Sequence, residues 1–160
     1  MRPPPFPLTT SGDRTVYRAT VSSISLLVFT AIAGCAAPPE ELNLLLTRPT
    51  VERRFVVALQ PPTKPAPINH IHAWQIKVTS PTGAPVSRAQ IVVDGGMPQH
   101  GHGLPTRPLV TPMSVDGTYL LEGMKFSMTG WWEIKLAIQA PEGSDTVTFN
   151  TIVSTRPMVP

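Results

Sequence analysis

From Trp131 to Ala140 the chain alternates without a break. Trp132, Ile134, Leu136 and Ile138 fall on one side, and Glu133, Lys135 and Gln139 on the other. A side-chain period of two belongs to a β-strand with one buried face; a helix would scatter these apolar residues around its circumference. The same period returns at Ile71–Ser80, where His72, Trp74, Ile76 and Val78 oppose Ala73, Gln75, Lys77 and Thr79. Shorter strands are predicted at Arg53–Gln60, Val86–Asp94, Thr118–Met128 (bulged at Gly123) and Asp145–Val153. Leu109–Met113 is predicted as an edge strand because Pro112 cannot donate to a ladder. Turn signals separate them: Pro81–Pro85, the Asp116-Gly117 pair, Thr129-Gly130 and Pro141–Ser144. About seven strands at roughly ten-residue spacing predict an all-β chain, an immunoglobulin-like β-sandwich. Twenty prolines in 160 residues argue against a helical protein. No strand–helix alternation and no internal repeat is present.

The N-terminal part reads differently. Residues 1–20 are polar, basic and proline-rich, and Val21–Gly34 is apolar but shorter than the ~20 residues a transmembrane helix needs. A charged region, a short apolar region and small residues at its end describe a secretory signal. Its ending, Ile32-Ala33-Gly34-Cys35, resembles a bacterial lipobox, so residues 1–35 are expected to be a signal peptide whose Cys35 is lipidated. Acyl chains hold through roughly 0.8 kcal/mol per buried CH₂. Ala36 after the cysteine implies the outer membrane in a Gram-negative host. Residues 36–50 are expected to be a proline-stiffened tether. Its patch Leu42–Leu46 reads either as a helical turn packed on the domain or as a piece at the membrane surface. Residues 51–153 form the domain, and residues 154–160 a flexible tail.

Charge narrows the functional classes. The formal net charge is +3. Removing residues 1–35 takes away Arg2, Arg14, Arg18 and Asp13, which leaves ten basic and nine acidic residues. No basic patch interleaved with aromatics exists, so nucleic acid is excluded as a partner. No Gly-x-Ser-x-Gly elbow, phosphate loop or His-Glu-x-x-His occurs, and the carboxylates are scattered. The chain is therefore not expected to be an enzyme or to hold an organic cofactor.

The chemistry concentrates in Gly95–Thr106. Four glycines, two prolines, Met97, His100 and His102 share these twelve residues. The composition predicts a shaped loop, neither helix nor strand. His100 and His102, spaced i, i+2, point the same way in extended chain, their roots about 6.6 Å apart. Imidazole suits copper, zinc, iron and nickel, while thioether suits Cu(I). The loop is thus either a metal site or a turn whose histidines are solvated or hydrogen-bonded to backbone. Met97 is a soft ligand or a plug for the open end of the sandwich. His72 is a core residue or a third ligand. Met128, Met124 and His70 are further candidate ligands; Met124, Phe126 and Met128 share one face of an unbroken strand. Asp94 either orients a histidine or caps the turn. Trp131 faces away from Trp132 and is expected at a rim or in a partner contact.

Gly95-Gly96-Met97-Pro98-Gln99-His100-Gly101-His102-Gly103-Leu104-Pro105-Thr106, then Gly117-Thr118-Tyr119, then Gly123 to Trp132, resemble the YtkA-like family, related to FixH-type domains. The resemblance covers about Val56–Val153. It implies a small extracytoplasmic β-sandwich, often membrane-attached, with a link to copper: a carrier, or an accessory to assembly of a copper-containing membrane enzyme. Met97, His100 and His102, with His72 next, are the implied ligands of a copper ion. The implied partners are the membrane, through the N-terminal lipid, and a membrane protein such as an oxidase or copper transporter. The domain itself is expected to be monomeric. The alternative is a non-metal structural or interaction module of the cell envelope.

Overall fold

The computed structural model describes residues 41–62 and 68–154. The leader, Cys35 and residues 36–40 of the expected tether lie outside them. Nine strands are present among the described residues: β1 (Thr47–Pro49), β2 (Val56–Gln60), β3 (His72–Thr79), β4 (Gln90–Met97), β5 (His102–Gly103), β6 (Leu109–Pro112), β7 (Thr118–Met124), β8 (Gly130–Ala140) and β9 (Gly143–Val153). One sheet has the order β1-β2-β3-β7-β6 and the other β5-β4-β8-β9, with every strand pair antiparallel. With β2 to β9 read as A, B, C, C′, D, E, F and G, A-B-E-D faces C′-C-F-G. That is the immunoglobulin arrangement. The two strands beyond the predicted seven are the short β1 and β5. Among the described residues no helix is long and apolar enough to cross a membrane.

The alternating faces meet as the core. Trp74, Ile76 and Val78 of β3 and Tyr119 and Leu121 of β7 pack toward Trp132, Ile134, Leu136 and Ile138 of β8 and Val147 and Phe149 of β9. Tyr119 also pins the β3–β4 connection: its hydroxyl donates to the Val86 carbonyl (2.7 Å) and accepts from the Ala89 N–H (2.9 Å).

Several boundaries differ from expectation. The predicted strand at Arg53–Gln60 begins only at Val56, because Arg53 takes a left-handed φ of 57° inside the β1–β2 turn. The strand predicted at Val86–Asp94 starts at Gln90, after Arg88 at φ 62°. It then runs on to Met97 through Gly95 and Gly96. The segment Gly95–Thr106 is therefore not free of strand: β4 and β5 form a hairpin within it. The Leu42–Leu46 patch forms no helical turn. Its last residue accepts a hydrogen bond from the Leu59 N–H (2.7 Å), extending the β1–β2 pairing, and Leu46 packs on the core. The stretch read as a tether thus contributes strand β1.

This N-terminal segment also covers the outer edge of β9. The Val51 N–H donates to the Thr146 carbonyl (2.9 Å), the Arg48 guanidinium to the Thr148 carbonyl, and the Asn150 amide to the Asn43 carbonyl (3.1 Å). At the other end of the sandwich Asp145 fastens the same segment. Its carboxylate accepts from the N–H groups of Glu52 (3.1 Å to each oxygen), Arg54 (3.2 Å) and Thr146 (2.7 Å). Burial alone would raise its pKa, but these bonds and the Thr50 hydroxyl hold it below the ordinary carboxylate value.

A carboxyl whose folded pKa is depressed stabilises the fold above its unfolded value and loses that contribution as pH falls through the folded value. Asp145→Asn is expected to flatten the stability loss below about pH 4, where an ordinary Asp titrates. Asp145→Ala, which strands the Glu52 and Arg54 N–H groups, is expected to cost about 1–3 kcal/mol in urea unfolding at pH 7.

Candidate metal centre

The hairpin is built by its glycines. A Cβ on Gly95 would stand 2.2 Å from the Glu133 carbonyl oxygen, and one on Gly96 2.1 Å from the His102 carbonyl oxygen. Only glycine lets β4 approach β8 and β5 this closely. Pro98–Gly101 make the turn: the His100 N–H donates to the Met97 carbonyl (3.1 Å) and Gly101 sits at φ 63°. Asp94 accepts from the Gly95 N–H at 2.7 Å, inside β4 and not at its end. His100 and His102 emerge exposed and side by side, with ring centroids 6.2 Å apart and planes 19° from parallel. Among the described residues neither ring hydrogen-bonds a main-chain oxygen. Beside them lies a recess of about 230 Å³ whose lining includes His102, Glu133 and Lys135. Glu133 and Lys135 pair at 3.0 Å.

Two of the three candidate thioethers stay out of reach. Met97 is 1% exposed and Met124 0% exposed, both inside the core cluster. Met97 is directly opposite His102 in the register, but its side chain fills the end of the sandwich, as a plug would. The strand carrying Met124 stops there, so Phe126 turns inward by itself and Met128 ends up 42% exposed in the loop that follows. The expected single face of Met124, Phe126 and Met128 is therefore broken. His70 is exposed.

His72 joins an aromatic cluster instead of the hairpin. Its ring lies 5.4 Å from Phe126 and 6.0 Å from Trp74, and Phe126 lies 5.2 Å from Trp132. The Trp74 indole N–H donates to His72 Nδ1 at 2.8 Å. A neutral ring so engaged carries its proton on Nε2. Nε2 is buried and has no hydrogen-bond partner among the described residues. Neither nitrogen then offers a free lone pair to a metal. Trp131, expected at a rim, is buried, with its indole N–H on Asn150 Oδ1 (3.0 Å).

Among the described residues no three His, Cys, Asp or Glu groups gather as a metal cluster. The donors brought together at the surface are two imidazoles. They fit an ion of borderline softness whose shell is completed from outside; they do not fit a thioether-rich Cu(I) site. Glu133 and Lys135 were missed as neighbours of the histidines. Both stand on the outward face of β8, and the β4–β8 register that carries Glu133 opposite Gly96 has no local sequence signal. A hollow of about 440 Å³ lies at the opposite end beside Asp145, whose oxygens are already engaged.

With this geometry in hand, comparison with known proteins adds the family. The YtkA-like family model matches residues 52–137. The chain belongs to the YtkA-like family. No curated protein matches the sequence. One similar solved structure, the ZirS C-terminal domain, shares 12% identity at a TM-score of 0.36, over 59% of this chain. The matched part spans 64% of that structure.

Burial lowers the pKa of His72, so the folded protein holds it neutral. A histidine depressed in this way stabilises fully above its unfolded value of about 6.5, and that contribution fades as pH falls toward the folded value. Thermal melting is expected to show stability falling below about pH 6.5, with a flatter profile for His72→Gln. Gly96→Ala is expected to cost about 1–3 kcal/mol by overpacking, measured by urea unfolding.

Proposed function

We propose that this YtkA-like protein is a lipid-anchored, extracytoplasmic metal-binding module that carries or delivers copper through His100 and His102. The observation supporting this reading is the imidazole pair: two exposed rings, 6.2 Å apart, on a hairpin stiffened by main-chain contacts at Gly95 and Gly96. Metal–nitrogen bonds of about 2.0–2.1 Å are within reach of both rings after side-chain rotation. With Met97 and Met124 enclosed, the pair favours Cu(II) over Cu(I). Zinc meets the same donors. An incomplete, exposed set suits transfer, since a recipient's side chains can complete the shell. Recipients of the kind the family resemblance implies are membrane proteins that use or move copper. Binding and hand-over, rather than catalysis, is the role we assign.

The lipid anchor rests on Ile32-Ala33-Gly34-Cys35. The test is titration of the folded protein with Cu(II), Zn(II) and Cu(I) by calorimetry and copper absorbance. One Cu(II) or Zn(II) per chain is expected, with Cu(I) weaker. His100→Ala with His102→Ala is expected to abolish binding, and acid to weaken it, because imidazole must be unprotonated to ligate. No stoichiometric complex with any of the three would leave the domain as a contact module of the envelope.

A further inference from the structure

We infer that the end of the sandwich carrying the histidine hairpin faces and touches the lipid bilayer. The inference rests on the anchored reading above and adds an orientation and a contact surface to it.

The registers place the relevant pieces at one end. Gly96 pairs with Glu133 near the start of β8, and Gly130 pairs with Val153 at the end of β9. In the other sheet His72 at the start of β3 pairs with Met124 at the end of β7. Thr47, the first residue of β1, pairs with Ala58 toward the end of β2. The chain therefore enters the domain at the same end where His100 and His102 leave it. Asn43 and Leu46 hold the arriving segment against Asn150 and Leu59.

Five residues lie between Cys35 and Glu41, making six Cα–Cα steps. At full extension they reach about 20 Å. An eleven-residue strand such as β8 is about 36 Å long. A lipid on Cys35 therefore keeps the near end close to the headgroups, and the far end beyond the tether's span.

The near end offers an apolar surface to meet them. Leu44 is 43% exposed and Leu45 65% exposed, on a segment fixed by the Leu45 N–H to Asn43 Oδ1 (3.0 Å). Ile71, just before β3, and Met128, just before β8, are also exposed there. The far end exposes Val51, Met113 and Val115, so apolar exposure alone does not select an end. The position of the arriving chain does. Leucines at a headgroup boundary, reinforced by a nearby acyl anchor, form a two-part membrane contact. The histidine pair then sits at the bilayer surface, facing membrane-embedded recipients.

The test uses the full chain, acylated at Cys35, on protein-free vesicles of phosphatidylethanolamine and phosphatidylglycerol. Hydrogen exchange is compared between the native chain and Leu44→Glu with Leu45→Glu, with melting curves confirming that both are folded. Amides of Met97–His102 are expected to exchange about tenfold slower in the native chain, with no difference at Ser114–Thr118. Equal exchange in both proteins, or an equal change at the far turn, overturns the orientation. Protection that vanishes when the protein-to-lipid ratio is lowered would mean contact with a second copy, and overturns it too. A chain that does not float with vesicles lacks the anchor, which sinks both this inference and the anchored part of the function. Flotation without protection sinks the orientation alone and leaves metal binding untouched.

Discussion

The ring of Phe126 holds the two sheets in relation to each other. It lies beyond the last residue of β7, where the chain crosses from one sheet to the other. It touches His72 and Trp74 on one side and Trp132 on the other, at 5.2 to 6.3 Å between ring centres. Such contacts add about 0.5–1.5 kcal/mol each beyond the area they bury. Its backbone is fixed by a bridge to Ile68 and by the Asn69 N–H on its carbonyl. With Phe126 in place, Trp74 aims its indole at His72, Trp132 aims its own at the Met128 carbonyl, and the end of the core closes.

That closure decides which side chains remain for chemistry. Met97 and Met124 fill this sandwich end with Phe126, so their sulfurs serve as packing, and of the three candidate thioethers Met128 alone reaches solvent. Histidine is left in two environments. His72 is enclosed, neutral and engaged by an indole; His100 and His102 stand free on a hairpin tip. The hairpin exists because Gly95 and Gly96 remove the side chains that would otherwise collide with neighbouring carbonyls. The same glycines that suggest a loose loop in the sequence are what let a strand run straight into the turn.

The architecture was legible where alternation was long. Trp131–Ala140 and Ile71–Ser80 gave strands within a residue or so of β8 and β3, and the Asp116-Gly117 pair marked the β6–β7 turn. Strand ends governed by left-handed residues such as Arg53 and Arg88 were not legible, because arginine carries no signal for that conformation. Of the site, the nearness of His100 and His102 was legible but its route was not: the rings come side by side across a turn at Gly101, not along extended chain. The burial of Met97 was not legible: its methyl packs against Gly130, which approaches only in three dimensions. Nor was the proximity of Glu133, which needs the cross-strand register.

The segment Asn43–Val51 has a second consequence. β9 is eleven residues long and lies at the rim of its sheet, with outward carbonyls at Thr146 and Thr148 satisfied by Val51 and Arg48. An open strand of that length is a template for pairing with another chain. The first segment of the described chain is thus also a guard over the domain's stickiest border. Proteolytic shedding through this stretch would not release a tidy soluble fragment. It would bare the rim, so that a clipped molecule would polymerise through its own exposed backbone.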